Sequence, residues 1–256
     1  MNWNHCLSER ESISRAKQTL SLDGVLLIDK PYECSSFDVI RRLKHRFGFK
    51  KIGHAGTLDP LATGLLIIVL GKATKLSQQL MCGFKEYTGT IQLGVETSTY
   101  DKEGEVLKTM STAHITEQQI KAVMASFLGD QYQKAPMFSA KKLNGTPLYK
   151  FARKGQEIER APNFITLFKF DMLSYQASEI AFYVRCSKGT YIRSLAHDLG
   201  EKLGCGAHLA ALRRTKSGRF SVEHAVELEA LLGNSSLDLL KQVFIPYETL
   251  LNELSL

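Results

Sequence analysis

The chain has 256 residues, 23% of them charged and 44% hydrophobic, which is ordinary for a globular protein with a sizeable core. No apolar run approaches the ~20 residues of a membrane span, and no signal peptide opens the chain, so we expect a cytoplasmic protein without a membrane partner. The net charge of +7 is accompanied by basic clusters at 41–51, 141–154 and 213–219; any one would fit a solvated face, but three together point to a nucleic-acid partner.

The first part of the chain alternates apolar runs with turn residues. Residues 1–22 are polar and irregular, and we predict a flexible tail there. The run GVLLID at 24–29 predicts a buried strand, and the helix-start signature at Ser35 predicts a helix after it. The run LLIIVL at 65–70 predicts a strand that is buried on both faces.

The later part predicts a mixture of both element types over a single catalytic domain at 23–256. The predicted elements are a strand at 87–93, a helix from 116 to 129, strands at 164–173 and 179–186, a helix at 192–203 and helical completion of the core at 220–256. The elements lack strict β-α-β alternation, which favours an α+β fold with a mixed sheet. The lysine-rich residues 130–155 form a long excursion, and such excursions are usually functional or mobile.

The sequence contains partial matches to common cofactor motifs, but none of them is complete. Gly71-Lys72 lacks the first glycine of a phosphate loop, and Gly204-Cys205-Gly206 lacks the third glycine of a dinucleotide fingerprint. The five cysteines are scattered, and the histidines show no metal-ligand spacing. We therefore expect chemistry without a metal or a cofactor.

The stretch GHAGTLDPLATG at 53–64 contains one acid, Asp59, at a stiffened turn. One interpretation makes Asp59 a helix N-cap with Pro60 at the first helical position. The other makes Asp59 a positioned nucleophile, because the glycines allow a ligand to approach and Pro60 restricts the direction of the carboxylate. The combination of glycines and proline favours the nucleophile.

The stretch CSKGTYIR at 186–193 supplies a cation that suits such an acid. It ends a strand, turns at Gly189 and enters a helix, with Tyr191 and Arg193 on either side of the inward Ile192. A neighbouring guanidinium favours the charged form of a carboxylate and fixes its direction. The alternative is a surface cation at a helix start, where the helix dipole is unfavourable.

At these segments the sequence resembles the TruB-type tRNA pseudouridine synthases, the bacterial enzymes that modify uridine 55 of tRNA. The likeness runs from Gly24 to Arg214 and is carried, in order, by GVLLIDKP, GHAGTLDPLATGLL, KEYTGTIQLG, APMFSAKKLNGTPLYKFARKG and CSKGTYIRSLAHDLGEKLGCGAHLAALRR. It implies a pseudouridine synthase fold, with a central sheet flanked by helices, a catalytic cleft and a mobile RNA-gripping insertion at 130–155. It also implies isomerisation of uridine in the T-arm loop of tRNA, without a cofactor, and we expect a monomer.

The resemblance implies a role for each matching residue. Asp59 is the nucleophile, Tyr87 stacks on the target base and assists proton transfer at C5, and Tyr191 and Arg193 contact the substrate and hold the acid. By strand alternation alone, Tyr87 fits a core tyrosine on the face of Ile91 and Leu93 better than a residue that contacts the substrate. Whether Asp59 attacks the ribose or the base first is not determined by the sequence.

Further matches concern substrate and RNA binding. Lys30 and Pro31 match the support beneath the site, Leu212 the apolar contact beside the base, and His54 the histidine that holds everted loop nucleotides. The residues expected to contact RNA are Lys141, Lys142, Arg153, Arg213 and Arg214.

The sequence departs from the family pattern in two respects, and two other functions compete with the predicted one. Phe138 stands where tyrosine is frequent in the family, and we expect the chain to lack the carboxy-terminal RNA-binding domain of many members. The rivals are a non-catalytic tRNA-binding chaperone and an N-glycosylase that uses the same acid and releases free uracil.

Overall fold

The computed structural model describes residues 22–143, 145–233 and 236–254, so the predicted tail lies outside these residues apart from Leu22. The strands are β1 (Gly24–Lys30), β2 (Ile52–Ala55), β3 (Ala62–Leu70), β4 (Lys85–Leu93), β5 (Val95–Thr97), β6 (Val106–Thr109), β7 (Gly129–Gln133), β8 (Lys142–Leu143), β9 (Thr146–Pro147), β10 (Asn163–Gln176), β11 (Glu179–Cys186), β12 (Ala207–Ser217), β13 (Phe220–Ser221), β14 (Val226–Glu227) and β15 (Phe244–Pro246). The helices are α1 (Ser36–Phe47), α2 (Ser77–Leu80), α3 (Glu117–Ala125), α4 (Leu148–Ala152), α5 (Ile192–Leu203), α6 (Leu228–Leu232), α7 (Ser236–Val243) and α8 (Tyr247–Leu254), with 3-10 turns at Gly71–Leu76 and Val222–His224. None of the helices in these ranges is long and apolar enough to cross a bilayer.

One large sheet organises the described part of the chain. Its strand order is β14-β1-β3-β12-β4-β11-β10-β7, with β2, β13 and β15 attached to β3, β12 and β1. The pairs β3–β12 and β1–β14 are parallel, and the other neighbours are antiparallel. The predicted α+β class with a mixed sheet is confirmed.

The continuous apolar runs of β1 and β3 are explained by two cores, one on each face of the sheet. Leu66 and Ile68 of β3 belong to the larger core, which also contains the buried side chains of α1, α3 and α5. Leu65 and Ile67 belong to the smaller core with residues of α2 and α8. A strand between two cores needs no polar face, which is why LLIIVL shows no alternation.

Helix α1 begins and ends where its local sequence dictates. The Ser35 side chain caps the amide of Asp38, and the Asp38 carboxylate accepts from the amide of Ser35, so the predicted capping box is present. The helix ends at Gly48, which adopts the left-handed conformation with φ 67°. The predicted helix from 116 has a similar box between Thr116 and Gln119 but ends at Ala125, before Gly129 begins β7.

Two segments differ from their predicted forms. The segment 220–256 contains α6–α8, yet it also provides β14 and β15, which pair with β1 and extend the sheet. The predicted excursion at 130–155 includes β7, which pairs with β10, so the part outside the sheet starts after Gln133. Strands of two or three residues, such as β14 and β15, are too short to show the alternation from which a strand is predicted in a sequence.

The register of the central strands brings distant residues together. Tyr87 of β4 lies opposite Arg214 of β12, and Leu212 of β12 lies between Ala62 of β3 and Gly89 of β4. The β12 strand is bulged at two places, between Leu209 and Ala211 and between Arg214 and Lys216, so its side chains do not alternate regularly.

The two-core arrangement predicts that Leu66→Ala lowers the free energy of unfolding by about 2–5 kcal/mol, because Leu66 is fully buried and the change leaves a cavity. The matched control is Leu107→Ala, which removes the same atoms from a side chain that is 65% exposed and should cost less than about 0.5 kcal/mol. Urea denaturation followed by circular dichroism measures both. Equal losses in the two variants would contradict the proposed core.

Candidate active site

Asp59 lies in a turn that leads into a strand, so the helix-cap interpretation is wrong. The amide of Ala62 donates to the Asp59 carbonyl at 3.0 Å, which closes a β-turn with Pro60 at its second position. The turn feeds directly into β3. At the entrance of β3, Gly64 has φ 96°, and a Cβ there would lie 2.3 Å from the Arg214 carbonyl oxygen, so glycine permits β12 to pass close by.

Two buried side chains hold this turn from beneath. The Lys30 ammonium donates to the carbonyls of Pro31 (2.8 Å) and Cys34 (2.5 Å) and lies 3.4 Å from that of Pro60. Burial lowers the pKa of Lys30 to about 8. The Ser36 hydroxyl accepts from the amide of Leu58 at 2.9 Å and donates to its carbonyl at 3.0 Å. The turn is therefore tied to the end of β1 and the start of α1.

The carboxylate of Asp59 forms an ion pair with the guanidinium of Arg193. The Arg193 Nε and Asp59 Oδ2 atoms are 2.8 Å apart. The two side chains differ in exposure, since that of Arg193 is 5% exposed and that of Asp59 is 40% exposed. The acid is thus held by a buried cation while one side of it remains open to a ligand.

Arg193 is held in turn by partners that the sequence analysis missed. Its Nη1 donates to the Thr99 carbonyl at 3.1 Å and lies 3.5 Å from Asp101 Oδ2, and its Nη2 donates to the Phe138 carbonyl at 2.8 Å. Asp101 is buried and also accepts from the Thr99 hydroxyl at 2.5 Å. The contact at Phe138 uses the backbone, so it does not depend on which aromatic residue stands there.

Tyr87 is mostly buried, on the core face of β4, with 8% of its surface exposed. Burial raises the pKa of its phenol to about 12, and the charge of Arg214, its cross-strand partner, acts in the opposite direction. The charge of Asp59 acts on both Tyr87 and Tyr191, so the three groups belong to one site. Because its pKa is this high, the phenol of Tyr87 is neutral near pH 7.

Tyr191 and His54 belong to elements that are far apart in the sequence. Tyr191 is the N-cap of α5, and Gln133 binds its backbone by accepting from the amide at 2.8 Å and donating to the carbonyl at 3.0 Å. Burial raises the pKa of Tyr191. His54 lies on β2, where burial and then the charge of Arg214 lower its pKa. Leu212 is half-buried beside the larger core.

The structure corrects one of the predicted RNA contacts. Arg214 is 1% exposed, because the register of β12 places it opposite Tyr87 on the buried face. Arg213 is more exposed, and its two terminal nitrogens bind the Asp29 carboxylate at 3.0 and 2.5 Å. Arg214 is therefore unavailable to RNA, whereas Arg213 stays a predicted contact that already has an acidic partner.

The other predicted RNA contacts belong to the insertion after Gln133. The Lys141 ammonium donates to Asn163 Oδ1 at 2.6 Å and to the Ala161 carbonyl at 2.9 Å, which ties the two ends of the insertion. Arg153 packs over the Tyr149 ring at 5.4 Å. The side chain of Lys142 lies outside the described residues. Over the described ranges, no three His, Cys, Asp or Glu side chains are grouped as metal ligands would be.

Comparison with known proteins agrees with this geometry. The model of the TruB family pseudouridylate synthase N-terminal domain matches residues 44–192, and that of the tRNA pseudouridylate synthase B C-terminal domain matches 193–252. A protein of Opitutus terrae named tRNA pseudouridine synthase B is 54% identical over 82% of this chain and 87% of its own length. The protein of that name from Syntrophotalea carbinolica is 48% identical over 82% of this chain and 69% of its own.

Solved structures resemble the fold as well. A chain in the crystal structure of a Cbf5-Nop10-Gar1 complex superimposes with a TM-score of 0.69 and 29% identity, covering 88% of this chain and 60% of the other. A chain in an H/ACA RNP bound to a substrate RNA containing 2'-deoxyuridine gives 0.66 and 28%, with the same coverage. This chain therefore spans about 60% of those two proteins. The matches over most of the sequence establish that the chain belongs to the TruB family of pseudouridylate synthases and is an isomerase.

Proposed function

We propose that this protein converts uridine 55 to pseudouridine in the T-arm loop of tRNA. The curated relatives are named tRNA pseudouridine synthase B, which supports tRNA as the substrate. The observation that carries the chemical part is the ion pair of Asp59 with Arg193, in which a buried cation holds an acid that is 40% exposed. A cytoplasmic location and a monomeric state stay predictions.

The reaction requires a nucleophile that is ionised and can form a covalent bond to the substrate. The target nucleotide leaves the base stack of the RNA loop, and a carboxylate oxygen of Asp59 forms a bond to the ribose or to the base. The N1–C1′ bond breaks, the uracil rotates, and a C5–C1′ bond forms. The bond to Asp59 breaks as the C5–C1′ bond forms if it is to the ribose, and afterwards if it is to the base. The C5 proton then leaves and N1 gains a proton, so the product is an isomer of the substrate.

Arg193 orients the acid for this attack. A guanidinium that binds a carboxylate through Nε leaves its two terminal nitrogens free for other anchors, and here these bind Asp101 and two backbone carbonyls. Because these partners lie in two segments that are distant from Arg193 in the sequence, at 99–101 and at 138, the direction of the Asp59 carboxylate is determined by the tertiary structure. Pre-orientation of this kind lowers the activation barrier without any movement during the reaction.

Tyr87 serves the base in two ways. Its ring offers an aromatic surface that offsets part of the cost of removing a base from its stack. Its phenol is neutral near pH 7, because burial raises the pKa to about 12, so it can take up a proton only as a relay that gives up its own proton at the same time. Proton transfer at C5 is the step we assign to it.

The insertion supplies the cations for RNA. Lys150, Arg153 and Lys154 are on or next to α4, and all three are exposed. Each phosphate that such a cation neutralises releases counterions, so affinity gained here depends on salt.

The proposed function is tested by incubating the protein with unmodified tRNA and mapping pseudouridine by chemical labelling. A single labelled position in the T-arm loop is the expected result. Release of free uracil would instead identify an N-glycosylase, and RNA binding with neither product would identify a chaperone.

Replacing Asp59 by Asn keeps the shape of the side chain and removes its charge. We expect the rate of pseudouridine formation under single turnover to fall by roughly three orders of magnitude or more, with tRNA affinity changed by less than about threefold. The matched control is Asp171→Asn, a surface acid paired with Lys169, which should leave the rate unchanged. A variant at Asp59 that keeps its rate would disprove the role of nucleophile.

Asp101→Asn tests whether the orientation of Arg193 matters for the rate. We expect a loss of roughly 10- to 100-fold in the single-turnover rate, because Arg193 loses its buried anionic partner and holds Asp59 less firmly. Glu105→Gln, an exposed change in the same turn region, is the control. An unaltered rate for Asp101→Asn would mean that the backbone carbonyls alone position Arg193.

A double charge reversal, Lys150→Glu with Lys154→Glu, tests the insertion. We expect weaker tRNA binding and a salt dependence that is lower by roughly one to two phosphate contacts. Filter binding at several salt concentrations measures both quantities. Reversal of Lys108 and Lys121, on β6 and α3, makes the same change of net charge elsewhere on the surface. If the two double variants behave alike, the insertion has no specific contact with RNA.

A further inference from the structure

Arg214 has a fully buried guanidinium for which RNA contact offers no explanation. It is 1% exposed, and within the described part of the chain no carboxylate lies within ion-pairing distance of it. Taking a cation out of water without a counter-charge is costly unless fixed dipoles replace the hydration shell. The groups that surround Arg214 must therefore be arranged to receive its hydrogen bonds.

Those groups belong to the two halves of the catalytic site. Arg214 Nε donates to the Leu65 carbonyl at 2.7 Å, Nη2 to the Gly56 carbonyl at 3.1 Å and Nη1 to the Thr57 carbonyl at 3.4 Å. Gly56 and Thr57 immediately precede the turn that presents Asp59. Gly56 has φ 98°, and a Cβ there would lie 3.4 Å from Arg214 Nη1, so the loop rests directly on the guanidinium.

The second half is Tyr87, the cross-strand partner of Arg214 in the β4–β12 ladder. Burial raises the pKa of the Tyr87 phenol and lowers that of the Arg214 guanidinium, and each of the two groups also acts on the pKa of the other. A guanidinium can donate hydrogen bonds but cannot accept them. The phenol of Tyr87 therefore has beside it a cation that cannot take its proton.

We propose that Arg214 is a positioning residue for the isomerisation, which sets the place of the Asp59 turn relative to Tyr87 by binding the loop at 56–57 from the strand position opposite Tyr87. The inference rests on the proposed function, because it assigns a role within that reaction. The fork of the guanidinium is essential to it, since one planar group binds the carbonyls of Gly56, Thr57 and Leu65 at once. A lysine at this position would keep a positive charge but would lack the fork.

The test measures catalysis and binding separately in Arg214→Lys. We expect the single-turnover rate to fall roughly 10- to 100-fold, with the dissociation constant for tRNA changed by less than about threefold. The matched control is Arg185→Lys on β11, where the guanidinium packs over the Phe84 ring at 3.9 Å; it should keep the wild-type rate. A wild-type rate in Arg214→Lys, or a loss confined to tRNA affinity, would overturn the proposal.

A double-mutant cycle with Tyr87→Phe tests whether Arg214 acts through the phenol. In the Tyr87→Phe background, we expect Arg214→Lys to cost less than about a third of its effect in the wild type, because the phenol that Arg214 positions is already absent. If the rate losses of the two single variants multiply fully in the double variant, Arg214 does not act through Tyr87 and this part of the proposal is overturned.

Folding is followed by circular dichroism, and Arg214→Gln serves as a second variant if Arg214→Lys does not fold. Failure of both variants to fold would assign Arg214 to stability alone and would also overturn the proposal. If the wild-type protein makes no pseudouridine, the proposed function fails; if it does and Arg214→Lys equals it, only the present inference fails.

Discussion

The ion pair between Asp59 and Arg193 is the contact on which the other features of the site depend. Without a partner, the exposed side chain of Asp59 would not keep one orientation. Without an anion, burial of the Arg193 guanidinium would cost free energy. Each residue therefore stabilises the position of the other. The two are brought from a turn before β3 and from the first turn of α5. Lys30 and Ser36 hold the turn, and Asp101 with two carbonyls holds the arginine, so the carboxylate is fixed from both sides. The pair exists because those segments meet.

Strand β12 is the element that makes them meet. It lies between β3 and β4 in the sheet, parallel to the strand that follows the Asp59 turn and antiparallel to the strand that bears Tyr87. Its register places Leu212 next to the start of β3 and Arg214 beneath the loop at 56–57. A shift of one residue would turn Arg214 toward the opposite face and remove its hydrogen bonds to the loop that precedes Asp59. The geometry of the site is therefore a property of the sheet as much as of the motif loops.

The elements that were predictable are those whose signals are local. The capping boxes at Ser35 and Thr116, the two-faced strand β3 and the apolar stripe of α5 follow from residues close in sequence, and each forms as expected. Strand β12 was missed because two bulges break its alternation, and β14 and β15 because two or three residues carry no period. Asp101 escaped notice for a different reason: nothing in its own neighbourhood distinguishes a buried partner of arginine from an ordinary turn acid.

The sequence by itself determined the class of fold, the family and the identity of the acid and its cation, because a rigid turn motif and a helix-start motif carry those properties in consecutive residues. It left open whether Asp59 caps a helix, which cations face RNA and what holds Arg193. Only the tertiary structure decided these, since exposure and pairing depend on which segments the sheet brings together. Arg213 and Arg214 illustrate the difference, because they are adjacent and chemically identical, yet strand geometry sends one toward Asp29 at the surface and buries the other beneath the catalytic turn.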